Sequence, residues 1–237
     1  MVLNESQIYI LDCINKFGVL TTQQLIKYID GKFSDVYIYK IITHFEELEI
    51  IKKEKLGKRK YFFLLQEGFK LSSNPMHIFR TIKLSELNHD LQVNDFLIQQ
   101  SLELKNQSTV DDFEVLTERE IVYEHLSEAD RKSHRQFGST NKSNLVRNIK
   151  RNVPDGIVSY TSEGTTTNIA YELELNQKYV SRYRQKMKDY RNEFLQGRYD
   201  ALIYMCNGKA IERKIQSVLD ELDININIHF EQIDEVF

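Results

Sequence analysis

The stretch Asn152–Tyr190 reads NVPDGIVSYTSEGTTTNIAYELELNQKYVSRYRQKMKDY. It opens on Pro154-Asp155-Gly156, which holds one of the chain's two prolines. Ile157, Val158 and Tyr160 then form a β-like run, which the polar turn Ser162-Glu163-Gly164 interrupts. A second β-like run follows, Ile169-Ala170-Tyr171-Glu172-Leu173-Glu174-Leu175. Strand side chains alternate between faces, so Glu172 and Glu174 share one face, and Tyr171, Leu173 and Leu175 take the other. Two carboxylates on one face are costly unless that face meets solvent or a cation. Cations follow directly. Lys178, Arg182, Lys186 and Tyr190 recur at four-residue steps on a basic helix.

Asp155 on one strand, with Glu172 and Glu174 on the next, forms a candidate set of oxygen ligands for Mg²⁺ or Mn²⁺. Such an ion polarises a phosphodiester and activates water. Lys178 or Lys186 is the candidate amine for the charge that develops on phosphorus. Tyr179, Tyr183 and Tyr190 have the chemistry of nucleophiles, and they also have the spacing of aromatic packing on an amphipathic helix.

The chain downstream completes an α/β pattern. Asp200–Cys206 has the composition of a buried strand, Ile211–Leu222 has helical spacing, and Ile224–Phe230 alternates strictly. Strand–helix–strand–helix–strand order predicts a mixed sheet flanked by helices. No Gly-rich phosphate cradle is present, which argues against an ATPase.

The N-terminal segment reads differently. Ile8, Leu11, Ile14 and Phe17 have helical spacing, ended by Gly18. Thr21 or Thr22 is placed to cap a second helix, and Ser34 a third carrying Val36, Ile38, Ile41, Ile42 and Phe45. Two β-prone arms then surround Gly57, with six basic residues and one acid between Lys52 and Lys60. Three short helices and a basic hairpin predict a winged helix-turn-helix over residues 1–74. In that arrangement Tyr37, Tyr39, Lys40 and Thr43 of the third helix face the major groove. Lys52, Lys53, Lys55, Lys58, Arg59 and Lys60 then meet phosphates. A structural or dimerising use of the same fold is the competing reading, and the acidic Glu46, Glu47 and Glu49 weigh on its side.

Ser72-Ser73-Asn74-Pro75 has linker composition, so the second domain is expected over 75–237. A helix is predicted from Ser85, carrying His89. Phe113–Ile121 reads as a strand, or as a strand running into a helix, and carries Glu118. Either residue is a candidate accessory to the metal site, and His89 serves equally well as a structural hydrogen-bonder. Residues Ser127–Lys150 are polar and basic, in keeping with a loop that orders on DNA or with a solvated insertion.

Bulk properties constrain the rest. The net charge of −3 gives no global attraction to nucleic acid, so any contact must come from local patches. Cys13 and Cys206 lie in apolar runs without partners at metal-ligand spacing, as buried thiols of a reducing compartment do. No apolar run is long enough for a membrane span, and no secretion signal is apparent. The expectation is a cytoplasmic protein.

Taken together, the N-terminal helices and hairpin, His89-Asp90-Leu91-Gln92-Val93-Asn94-Asp95, Pro154-Asp155, Glu172-Leu173-Glu174 and Lys186–Tyr190 resemble the replication-relaxation family of plasmids and integrative elements. That family includes MobC-type relaxases, and its core is similar to PD-(D/E)xK restriction endonucleases. The resemblance spans about Gln7 to Tyr204. It implies an α+β protein, a winged helix-turn-helix followed by a nuclease-like domain. It also implies a metal-dependent DNA endonuclease or nickase that initiates plasmid mobilisation or replication. Its partners would be origin or operator DNA, relaxosome or replication proteins, and a second copy of the chain. The position two after Glu172 is Glu174 where the nuclease signature has Lys, so the amine must come from Lys178 or Lys186. The alternative is a DNA-binding regulator or relaxosome accessory factor whose nuclease-like domain is a scaffold.

Overall fold

The computed structural model describes residues 2–73, 76, 84–131 and 140–233. The chain is α+β and gathers into two units. One comprises Met1–Glu103 with Arg119–Ile149; the other comprises Leu104–Glu118 with Lys150–Phe237.

In the first unit, helix α1 (Glu5–Phe17) starts at Asn4, whose side chain accepts from the Gln7 N–H while Gln7 reaches back to the Asn4 N–H. Thr21 and Gln24 make the same reciprocal pair at α2 (Thr22–Ile29). Such boxes satisfy two otherwise unpaired N–H groups at each helix start. Ser34 caps α3 (Asp35–Glu47), which buries Ile38, Ile41, Ile42 and Phe45. Strands β1 (Val19–Thr21), β2 (Ile51–Leu56) and β3 (Arg59–Leu64) form an antiparallel sheet in the order β1-β3-β2. Gly57, at φ 59°, supplies the left-handed residue of the β2–β3 turn.

Helix α4 (Gln66–Leu71) returns against this sheet so closely that a Cβ on Gly68 would lie 2.5 Å from the Ile50 carbonyl oxygen. That oxygen already accepts from the Leu65 N–H, so it is not free to shift. Gly68→Ala is therefore expected to lower stability by about 1–3 kcal/mol, as overpacking does. This holds although alanine favours helix by about 1 kcal/mol. Denaturant titration checks it.

The long helix α5 (Leu84–Lys105) clusters with this unit over most of its length. Leu87 and Leu91 pack with Val19, Tyr61 and Phe63. The Gln24 side chain donates to the Leu91 carbonyl at 2.7 Å, and Asn94 donates to the Val19 carbonyl at 2.7 Å. The division into 1–74 and 75–237 expected from linker composition thus differs from the observed grouping. The apolar stripe of α5 finds its partners in the N-terminal sheet. Arg119, at the start of α6 (Glu118–Glu124), joins the same unit by donating to the carbonyls of Asn15 (3.1 Å) and Met76 (2.6 Å).

The second unit is built on a five-stranded mixed sheet, order β4-β5-β6-β7-β8. Strands β4 (Asp112–Thr117), β5 (Gly156–Ser162) and β6 (Thr165–Glu174) form an antiparallel meander. Glu163 and Gly164, both at positive φ (51° and 75°), make the two-residue β5–β6 turn, and its twist suits a hairpin. Helix α8 (Val180–Leu195) then crosses to β7 (Ala201–Cys206), which is parallel to β6. Helix α9 (Lys209–Glu221) leads to β8 (Ile228–Gln232), parallel to β7. On one face of the sheet, Ala170, Leu202, Tyr204 and Cys206 pack on Tyr183, Met187 and Tyr190 of α8 and on Ile211, Ile215 and Val218 of α9.

The alternating run Ile224–Phe230 enters the sheet later than its pattern predicts. Pairing begins at Ile228, opposite Leu202. Ile224 is held at the end of α9, where its N–H donates to the Leu219 carbonyl and Asp223 turns at φ 50°, while the Asn227 carbonyl accepts from the Leu202 N–H of β7. Helix α7 (Thr140–Asn152) begins within the polar region Ser127–Lys150 and runs two residues past it; Lys132, His134 and Arg135 lie outside the described residues.

Candidate functional site

The face of β6 that carries Ala170 also carries Glu172 and Glu174, as strand alternation requires. In register, Glu172 stands beside Tyr204 and Glu174 beside Cys206 on β7. Both glutamates are buried, each 3% exposed, under the crossing helix α8. The cost of burying two carboxylates is offset by cations that the chain supplies immediately afterwards.

Lys186 reaches Glu172 with Nζ 2.6 Å from Oε2. One turn later, the Tyr190 hydroxyl donates to Oε1 of the same carboxylate in a short hydrogen bond. Four-residue spacing puts Lys186 and Tyr190 on one helix face, so each covers one oxygen. Glu174 pairs separately, with Lys178 Nζ at 2.8 Å from Oε2.

Asp155 precedes β5. Its N–H donates to the Tyr171 carbonyl (3.0 Å), and Oδ2 accepts from the Leu173 N–H (2.8 Å). These bonds fix the Asp155 side chain against β6, on either side of Glu172 in sequence. Glu118, at the end of β4, donates its N–H to the Asp155 carbonyl (3.1 Å), and its carboxylate meets Lys150 Nζ at 2.5 Å.

The electrostatics reflect this crowding. Burial pushes the Glu172 carboxyl up to about 7 against the pull of Lys186, and the Asp155 carboxylate adds to the rise. Burial alone would lower the Lys186 ammonium, but Glu172 and Asp155 outweigh it and the net shift is upward. Burial, then the neighbouring Glu172, raises the Tyr190 phenol well above its ordinary value, so this hydroxyl keeps its proton. Asp155, Glu172, Lys186 and Tyr190 therefore form one coupled cluster.

Two hard carboxylates, one just before β5 and one on the adjacent β6, suit a Mg²⁺ or Mn²⁺ ion, which takes one or two carboxylates and keeps several waters. Among the described residues, no group of three or more His, Cys, Asp and Glu side chains is arranged to hold a metal ion. Any donor set here is thus the pair Asp155 and Glu172. The expectation of Glu174 as a third ligand meets a carboxylate already closed on Lys178. Of the two candidate lysines, Lys186 sits in the cluster.

The three tyrosines of the basic helix differ in state. The Tyr183 hydroxyl accepts from the Lys178 N–H (3.0 Å), Tyr190 is bonded to Glu172, and Tyr179 is 87% exposed. The packing role fits Tyr183 and Tyr190. The spacing of Lys186 and Tyr190 was a usable signal for their shared role at Glu172. The spacing does not say which face of the helix meets the sheet.

The first unit holds the other candidates. His89 Nδ1 lies 3.4 Å from Asp90 Oδ1. On α3, Tyr39, Lys40 and Thr43 are exposed, and the Thr43 hydroxyl donates to the Tyr39 carbonyl at 2.9 Å. Tyr37 is half-buried, its ring 5.5 Å from that of Phe33. Val36, which sequence reading assigned to the apolar set, is 64% exposed in the first turn. On the hairpin, Lys55, Lys58 and Lys60 are exposed and Arg59 is half-buried, with Lys55 directly opposite Lys60. Lys52 pairs with Glu54 and Lys53 with Glu46, each at 2.6 Å.

No protein-family model, curated protein or solved structure matches the chain. No helix among the described residues is long and apolar enough to cross a membrane.

Proposed function

We propose that this protein binds DNA through its N-terminal unit and cleaves one strand of it, with a divalent ion, at the Asp155–Glu172–Lys186 cluster. The single observation that carries the reading is that the Glu172 carboxylate of β6 meets Lys186 of the next helix while Asp155, just before β5, is bonded to β6 at Leu173 and acts on Glu172. Mg²⁺ or Mn²⁺, when bound, supplies Lewis-acid polarisation of the phosphodiester and an acidified water. Asp155 and Glu172 hold the ion. Lys186, a long side chain 19% exposed, places its ammonium where charge develops on the phosphate. Tyr190 orients Glu172 by its hydrogen bond and, with its high pKa, acts as a donor only. On the strength of the resemblance to replication-relaxation proteins, the cut would open mobilisation or replication of a mobile element.

The three N-terminal helices and basic hairpin are read here as a winged helix-turn-helix. The exposed stripe of α3 would face the major groove, and the hairpin the phosphates. Binding to duplex DNA should therefore fall linearly with the logarithm of salt concentration. Lys58→Ala and Lys60→Ala should each flatten the slope by about 0.9, one phosphate's counterion. Lys53→Ala, already neutralised by Glu46, should flatten it less. Equal slopes in all three variants and wild type would remove the hairpin from the interface. With Mn²⁺ present, wild type is expected to convert supercoiled plasmid carrying its site to nicked circles.

One observation favours a second reading, a DNA-binding regulator or accessory factor with a nuclease-like scaffold. Both oxygens of Glu172 and one of Glu174 already have internal partners, so the fold neutralises its own carboxylates. Under that reading, alanine at Asp155 leaves DNA affinity intact and no strand is cut by either protein.

A further inference from the structure

Tyr179 leaves 87% of its surface in solvent, more than any other aromatic residue among the described ones, and its hydroxyl has no hydrogen-bond partner there. It is not the tip of a loose loop. The residue before it is pinned at three points: the Lys178 N–H donates to the Tyr183 hydroxyl (3.0 Å), the Lys178 carbonyl accepts from Lys214 Nζ (3.1 Å), and Lys178 Nζ meets Glu174 (2.8 Å). On the other side, the Tyr179 carbonyl accepts from the Arg182 N–H at 3.0 Å as α8 begins. Upstream, Asn207 donates its N–H to the Glu174 carbonyl (3.0 Å) and its side chain to the Leu175 carbonyl (3.2 Å). The backbone that carries the ring is fixed, so covering the ring with something flat orders only the two side-chain torsions of a tyrosine.

The surroundings say what that object carries. Arg182, three residues on and exposed, has no carboxylate paired to it among the described residues, and Lys178 is 36% exposed. An open aromatic face beside cations is how single-stranded nucleic acid is held, base on ring and phosphate on cation. Paired bases hide their faces in the stack, so an isolated ring can take only an unpaired one. Tyr179 is the residue before α8, on the short connection that follows β6, the strand carrying Glu172 and Glu174.

We propose that Tyr179 is a stacking platform for an unpaired base of single-stranded DNA, with Arg182 contacting the adjoining phosphate. This rests on the DNA-cleaving reading and adds its substrate form: a strand that is opened locally next to the carboxylate cluster.

The chain has no tryptophan, so Tyr179→Trp installs a single indole reporter. Titrated with oligothymidylate at low salt, without divalent ions, its fluorescence should be quenched with saturation. Tyr179→Ala should bind oligothymidylate roughly tenfold more weakly than wild type. Tyr179→Phe should stay within about twofold, because stacking uses the ring. Binding of a duplex of equal length should be unchanged in all variants. Equal oligothymidylate affinity in wild type and Tyr179→Ala, or an unquenched indole, overturns the proposal and leaves the cleavage reading standing if duplex still binds. A loss shared equally by duplex and single strand also overturns it, since the ring would then be a general surface contact. If wild type binds neither DNA form, the proposal and the DNA-binding reading fail together.

Discussion

Lys186→Met is expected to destabilise the protein by about 3 kcal/mol near pH 8, and by clearly less near pH 5.5. Glu172 is 3% exposed and paired to Lys186 at 2.6 Å. Removing one partner of a buried pair strands the other charge, which costs about 3–5 kcal/mol. Glu172 has an escape, however, because a carboxyl can take a proton. Burial already lifts its folded pKa to about 7, above the ordinary value of 4.5. A raised folded pKa means that the folded state binds the proton more tightly than the unfolded chain does. The contribution of this group to stability is therefore full below about 4.5 and lost as pH rises through about 7. Near pH 5.5 the carboxyl is mostly neutral in the folded state of either protein, so losing the ammonium removes little. Near pH 8 the wild type holds an ion pair, and the variant must bury a lone carboxylate or bind a proton against the solvent. Glu172→Gln is the control. It removes the charge, keeps the volume and still accepts from Tyr190, and the ammonium left behind can extend towards water from a side chain 19% exposed. Near pH 8 its cost should be smaller than that of Lys186→Met, and its own stability, unlike that of the wild type, should lack the fall between pH 5.5 and pH 8 that Glu172 causes. Urea titrations of the three proteins at both pH values decide the matter. A pH-independent loss in Lys186→Met would mean that Glu172 is not the group left stranded.

Asp155→Asn should lower Mn²⁺-dependent plasmid nicking by about a thousandfold. A carboxylate that holds the ion contributes to Lewis-acid stabilisation worth several kcal/mol, and each 1.36 kcal/mol is tenfold in rate. The substitution is chosen to spare the fold. The asparagine side-chain oxygen can still accept from the Leu173 N–H, and the backbone bonds to Tyr171 and Glu118 do not involve the side chain. Melting temperature and duplex affinity should therefore stay near wild type while cleavage is lost. Retained nicking in a well-folded Asp155→Asn would remove the cluster from the chemistry.

Parts of both units were legible because their signals are local. The Glu163-Gly164 turn, the parity of Glu172 and Glu174 and the caps at Thr21 and Ser34 each follow from a few neighbouring residues. What the sequence left open depends on how elements meet. Whether Lys178 or Lys186 joins Asp155 was undecided, because four-residue spacing admits both; the crossing of α8 over β6 gives Lys186 to Glu172 and Lys178 to Glu174. The alternation of Ile224–Phe230 overstated β8, since a helix end competes for the Ile224 N–H. The Pro75 boundary was read from linker composition, yet α5 beyond it buries Leu87 and Leu91 on the N-terminal sheet, a contact no local pattern records. Val36 is apolar, but at two residues before Ile38 it lies about 200° of helical turn from the buried stripe of α3 and remains exposed.

The most direct test of the two-carboxylate site is calorimetric titration of Mn²⁺ into wild type, Asp155→Asn and Glu174→Gln. Wild type and Glu174→Gln should each bind one ion per chain with similar affinity, because Glu174 is committed to Lys178, and Asp155→Asn should give only the heat of dilution. Isotherms for Asp155→Asn that superimpose on wild type would contradict the account.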